Sequence, residues 1–269
     1  MANFNKVALF RLIFCIYHIY LIFIIYVLYS YWGLPEPYSY VIEGSSTNGI
    51  PSYLIIIQIC FSLLYYDRFN KFNLYSPLFT FIVSLYGFGR GNIIISFLIF
   101  SISIIFSFVN SKYKYHSLLI LIPLFLLLSH YLDLFSHFVL TKTKLSFGLI
   151  EHHRLNMLSD YINKLNPLTL LVGTDYTGTV IGSKYDNNPH ISFIRCHSTF
   201  GLFYTIACFF SPLIILINKS LTNFKKFVFV SFSYAAILRA LTEPILFPSF
   251  LDFFYFLPFF IYLRLRKNA

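Results

Sequence analysis

The stretch ALFRLIFCIYHIYLIFIIYVLYSY, residues 8–31, is apolar along its whole length and carries one fixed charge, Arg11. A hydrocarbon core needs about 20 such residues wound as a helix. The run is too long and too aromatic for a cleavable signal peptide, and no small-x-small site follows it, so it reads as a retained anchor. Similar runs recur along the chain: Pro51–Tyr66, Leu74–Phe88, Ile93–Val109, Ser117–Val139, Phe200–Ile217, Phe227–Leu241 and Leu251–Leu263. Helices satisfy their backbone hydrogen bonds internally, and the alternating pattern of a membrane barrel is absent. The expected fold is therefore all-α: a polytopic membrane protein of about eight transmembrane helices, read as one membrane domain over residues 1–269.

Composition agrees. With 58% hydrophobic and 11% charged residues and a mean hydropathy of +0.71, the chain has too little polar surface to cover a water-soluble globule of 269 residues. The net charge of +10 does not read as a nucleic-acid footprint, because the basic residues cluster on alternate sides of the runs. Lys6 and Arg11, Arg68 and Lys71, Lys112 and Lys114, Lys219, Lys225 and Lys226, and Arg264, Arg266 and Lys267 mark the cytoplasmic side. Both termini are then expected inside. Residues 32–50, the Arg90 turn and the stretch of about residues 140–198 are expected outside. The excess charge orients the chain and attracts membrane lipid.

Four cysteines form neither a disulfide framework nor a CxxC pair. His190, Cys196 and His197 match no zinc spacing, so no metal or other cofactor is expected. Gly173-Thr-Asp-Tyr-Thr-Gly178 begins like a phosphate loop but has Thr179 and Val180 where Lys and Ser or Thr are required.

The chemistry is expected in the polar stretch between the fifth and sixth runs, about residues 140–198, the longest hydrophilic segment of the chain. It holds Arg154, on a segment with apolar residues at helical spacing (Leu149–Leu165), and His190, Arg195 and His197. Arg90 at a hairpin tip and Arg239 at the end of the seventh run fall on the same face by topology. Guanidinium groups match phosphate oxygens bidentately and keep their charge, so arginines at a bilayer edge suit a lipid-linked diphosphate and its departure as a leaving group. A histidine titrating near neutrality suits activation of an attacking hydroxyl. Asp133 is expected to pair structurally with His130 or His137.

Pro189-His190-Ile-Ser-Phe-Ile-Arg195-Cys-His-Ser-Thr-Phe-Gly201-Leu-Phe-Tyr204 resembles the signature of the O-antigen polymerase and O-antigen ligase superfamily, with His190, Gly201 and Tyr204 at its spacing. Ile191 departs from it, since the family usually has Asn, Ser or Gln there. Arg154 looks like the family's external-loop arginine and Arg90 its hairpin arginine. Leu238-Arg239-Ala-Leu-Thr-Glu243 with Asp252 is similar to the closing segment of bacterial Wzy-type polymerases. Family members usually have more spans, so the chain looks short on its N-terminal side.

The resemblance implies a GT-C-like glycosyltransferase of the bacterial inner membrane, working on its periplasmic face. It would join undecaprenyl-diphosphate-linked oligosaccharide repeat units, with a chain-length regulator as a candidate partner. His190 and Arg154 are its expected catalytic residues, and Arg90, Arg195, Arg239 and His197 its substrate contacts. An O-antigen ligase acting on lipid A core is the nearest alternative. A polysaccharide flippase or transporter without catalysis is another.

Overall fold

The computed structural model describes residues 5–34, 36–41, 48–109, 137, 143 and 152–264. Its described residues are helical, with no strand among them, and fall into two compact units, Met1–Leu149 and Ile150–Ala269. The fifth apolar run, with His130 and Asp133, lies outside the described residues apart from His137, as do Lys112, Lys114 and most of residues 140–151.

In the first unit α1 (Lys6–Ser30), α2 (Gly49–Phe69), α3 (Tyr75–Tyr86) and α4 (Arg90–Val109) cover the first four runs. Asn5 starts α1 by accepting from the Val7 and Ala8 amides at 3.0 and 3.3 Å, two of the donors that a helix start leaves unpaired. The run of α2 is buried almost throughout from Leu54 to Leu64, which makes it the centre of this unit. Hydroxyls tie its neighbours together: Tyr17 Oη donates to the Ser76 carbonyl at 2.9 Å, and Tyr38 Oη to the Val83 carbonyl at 3.0 Å. Gly87 ends α3 where a Cβ would stand 2.7 Å from the Tyr38 ring. Arg90 is the first residue of α4, where the helix dipole disfavours a cation.

The described residues of the second unit begin within the polar stretch, at His152. Helices α5 (His152–Lys164), α6 (Pro167–Val172) and α7 (Val180–Lys184) precede α8 (Ser192–Phe210), a 3-10 segment Ser211–Ile217, α9 (Asn223–Ala240) and α10 (Asp252–Arg264). Met157 and Tyr161 on one face of α5 pack with Ile181, Ile191 and Ile194, so the hydrophilic segment has a small core of its own. This also accounts for Ile191. A polar side chain at that position would enter an apolar cluster.

By length and composition four helices could cross a membrane: Lys6–Ser30, Gly49–Phe69, Arg90–Val109 and Ser192–Ile217. Tyr75–Tyr86 and Asp252–Leu263 are shorter apolar helices. The last of the four is not straight. Gly201, at φ 78° and ψ −175°, breaks α8 into two arms, 192–200 and 202–210. A straight helix would set Phe193 and Phe209 about 24 Å apart and Cys196 and Cys208 about 18 Å apart. Instead the two rings lie 5.7 Å apart between centroids, and Cys196 faces the second arm. The arms fold back along one another with Gly201 at the vertex. The sixth run, expected as a single span from Phe200, thus begins eight residues earlier, at Ser192, and doubles back.

Candidate functional site

The second unit holds every expected site residue except Arg90. Arg154 leaves α5 and donates through Nη2 to Glu243 Oε1 at 2.8 Å. Arg239, on the last turn of α9, brings its own Nη2 within 3.5 Å of the same oxygen and donates from Nη1 to Thr242 Oγ1 at 2.6 Å. The two guanidinium groups are unequal: the Arg239 side chain is 1% exposed and that of Arg154 17%. Of the two guanidinium groups that converge on this carboxylate, Arg154 has the more accessible edge.

Ser192 fixes that cluster against α8. Its Oγ donates to the Glu243 carbonyl and accepts from the Ile245 and Leu246 amides at 3.0 and 3.1 Å. One buried hydroxyl therefore satisfies three main-chain groups in the turn after α9, which a helix end must otherwise offer to water. Arg195 Nη2 donates to the Leu246 carbonyl at 3.0 Å, adding a second strut to the same turn. Asp252 closes it from the far side, accepting from the Phe247 and Ser249 amides, both at 2.9 Å. The closing segment is thus bound to the His190 motif by hydrogen bonds between the Ser192 and Arg195 side chains and its main chain.

His190 lies in the loop before α8 with φ 52°, a left-handed conformation uncommon outside glycine. Its amide donates to Asn188 Oδ1 at 3.2 Å, and its ring meets Tyr185 edge-on, centroids 5.4 Å apart. The ring is partly buried.

No protein-family model, curated protein or solved structure matches this chain.

His197, expected as a substrate contact, has both ring nitrogens engaged by the protein. Nε2 faces the Leu170 carbonyl at 2.8 Å; a carbonyl only accepts, so Nε2 carries the proton and Nδ1 accepts from Tyr161 Oη at 2.8 Å. The ring clamps α5, α6 and the first arm of α8 together. Burial pushes the Tyr161 phenol above its ordinary range, which keeps it a donor. Tyr176 Oη donates to Ser198 Oγ at 2.6 Å, and Ser198 in turn to the Arg195 carbonyl at 3.0 Å.

Two glycines make this packing possible. A Cβ on Gly201 would run into the Leu171 carbonyl oxygen and stand 2.9 Å from the Val172 carbonyl carbon. A Cβ on Gly173, at φ 90°, would run into the His197 carbonyl oxygen and stand 2.7 Å from that of Ser198. Each glycine admits the backbone of the other's helix. Gly201, singled out by the motif, therefore acts through backbone approach, and Tyr204 stands exposed beside Phe200, ring centroids 4.6 Å apart. At the outer edge Lys164 Nζ holds the 175–177 turn, at 2.6 Å from Asp175 Oδ1 and 2.8 Å from the Thr177 carbonyl. The hydrogen bond from Lys164, with those from Thr177, lowers the Asp175 carboxyl below its usual range.

Proposed function

We propose that the chain is a membrane-embedded glycosyltransferase of the O-antigen polymerase type, joining lipid-linked oligosaccharide repeat units. The observation that carries this reading is the convergence of Arg154 and Arg239 on Glu243 beside the Ser192 end of the His190 motif. These are two of the arginines that the resemblance assigns to the diphosphate. The left-handed backbone of His190 adds to it, since such conformations gather at functional sites when the surroundings hold them.

In this reading Arg154, with the accessible guanidinium edge, grips the diphosphate of the donor lipid. Arg239, buried behind Glu243, holds that carboxylate in place, so it positions rather than touches. His190 takes the proton of the acceptor hydroxyl as its oxygen bonds to the anomeric carbon. The bond from that carbon to the lipid diphosphate breaks, and its electron pair leaves on the diphosphate oxygen, where Arg154 offsets the growing charge. Arg90 contributes through the resemblance alone. The membrane is the bacterial inner membrane, with both termini cytoplasmic and the working face periplasmic; the substrates are undecaprenyl-diphosphate-linked saccharides.

The test is a deletion strain complemented with this chain or with its His190→Ala or Arg154→Ala variant, followed by gel analysis of surface polysaccharide and immunoblotting of membranes. Both variants should reach the membrane and leave single repeat units on core in place of the long-chain ladder. A normal ladder from both would overturn the reading. Loss of every repeat unit from core would replace it with ligase activity.

A further inference from the structure

Helix α6, Pro167-Leu-Thr-Leu-Leu-Val172, is a short element that buries none of its residues. It is nevertheless held firmly. Asn166 and Thr169 form a reciprocal cap, with 2.9 Å from the Thr169 amide to Asn166 Oδ1 and 2.8 Å from the Asn166 amide to Thr169 Oγ1. Its far end is pinned at Gly173 and Gly201, and its Leu170 carbonyl accepts from His197. A rigid, uncharged helix with Leu168 67% and Val172 61% exposed has been built to present aliphatic side chains outward.

What it presents them to follows from its neighbour. The approach of Gly201 to the Leu171 and Val172 backbone places α6 against the vertex of α8, next to Phe200 and Phe203. Phe203 is 73% exposed, and the second arm continues outward-facing through Ile206 and Phe210 into Ile214 and Ile217 of the 3-10 segment. That arm belongs to a stretch apolar enough to lie in a bilayer, so the surface of α6 is continuous with a surface that faces acyl chains. Helix α5 repeats the pattern. Leu155, Leu158 and Ile162 share one exposed face by helical spacing, turned about a third of the way round the helix from Met157 and Tyr161.

We propose that α6, with the outer face of α5, is a lipid-contacting platform seated in the acyl-chain region just below the headgroups, and that it anchors the polar segment to the bilayer. Interfacial helices of this kind bury an apolar face to a shallow depth while their polar neighbours stay wet. Asn166, Lys164 and Asp175 supply the wet rim here. The platform is independent of whether the chain transfers sugars.

A reporter series in the full chain tests it. The only tryptophan, Trp32, is first replaced by Phe, and single reporters are then introduced as Leu168→Trp and, as a control on the polar exposed end of α7, Lys184→Trp. Each protein is reconstituted into phosphatidylcholine and phosphatidylglycerol vesicles carrying lipids brominated either high on the acyl chain or near its terminus. The Leu168→Trp reporter should lose roughly half its fluorescence to the upper-chain bromines, less to the terminal ones, and little to aqueous acrylamide. The Lys184→Trp reporter should show the reverse preference between acrylamide and bromine. Acrylamide quenching of the Leu168→Trp reporter equal to that of the control would overturn the proposal. Protection of the Leu168→Trp reporter from both quenchers, the signature of a protein partner, would overturn it equally.

Discussion

Arg154 and Arg239 compete for one oxygen, Glu243 Oε1, from 2.8 and 3.5 Å, yet only one of the two can meet solvent. Two cations on one anion hold together because the carboxylate is nearly as buried as Arg239, which stabilises attraction that water would screen.

Removing Arg239 alone should be costly, because it leaves Glu243 buried with half its compensation. Arg239→Ala is expected to lower stability by about 3–5 kcal/mol. The triple variant Arg154→Met, Arg239→Met, Glu243→Met should recover most of that loss, since apolar replacement of a buried charged triad is often neutral. Unfolding in mild detergent measures both. Equal losses in the single and triple variants would show that Glu243 does not depend on Arg239.

The glycines of the second unit should separate by what a Cβ would meet. Gly178 has φ 77° but open space around it, so Gly178→Ala should cost only the backbone strain, about 1–2 kcal/mol. Gly201→Ala and Gly173→Ala add a collision with main-chain carbonyls at similar φ, and each should exceed that cost or prevent folding. Thermal melts of the purified variants would rank them, and a Gly201→Ala protein as stable as Gly178→Ala would contradict the fold-back at α8.

Tyr161→Phe removes the donor to His197 Nδ1 in a buried setting and should destabilise by about 1–3 kcal/mol. At a permissive temperature it should leave the proposed polymerisation intact, as a clamp would and a substrate contact would not. A chain-length ladder lost at unchanged protein level would instead return His197 to the working site.

The 175–177 turn should weaken in acid. Lys164 and Thr177 hold the folded carboxyl of Asp175 below its unfolded value, so the turn's extra stability is complete above the unfolded pKa of about 3.9 and disappears as pH falls through the lower folded value. Amide exchange at Thr177, whose N–H donates to Asp175 Oδ1 at 3.1 Å, should therefore lose protection relative to Gly173, whose amide is held by the Thr169 carbonyl, on descending from pH 5 to pH 3. In Asp175→Asn the difference should vanish.

Helix positions were largely readable from hydropathy, because a bilayer's thickness sets a length that Lys6–Ser30, Gly49–Phe69 and Arg90–Val109 meet without any knowledge of neighbours. The face of α5 was readable too, from the spacing of Met157 and Tyr161. The fold-back at Gly201 was not, since hydropathy carries no direction and the apolar run read from Phe200 starts at the vertex itself, leaving the polar first arm unseen. Its signal was a glycine inside a run, whose partner, Gly173, lies in a different segment. Arg239 with Glu243 was legible at helical spacing. Arg154 with Glu243 was not, because nothing local links a residue of the polar stretch to the end of α9; nor does anything local mark Ser192 as the peg for the turn after α9.

The doubled-back α8 also sets a spacing. Its first arm, at about 1.5 Å per residue, puts Ser192 about 13 Å from Gly201, and it does so in the direction that the second arm takes towards Ile217. Glu243, bonded to Ser192, shares that offset. The arginine pair therefore stands at the Ser192 end of this arm and the α6 contact at its Gly201 end, two places held apart by a single rod of helix.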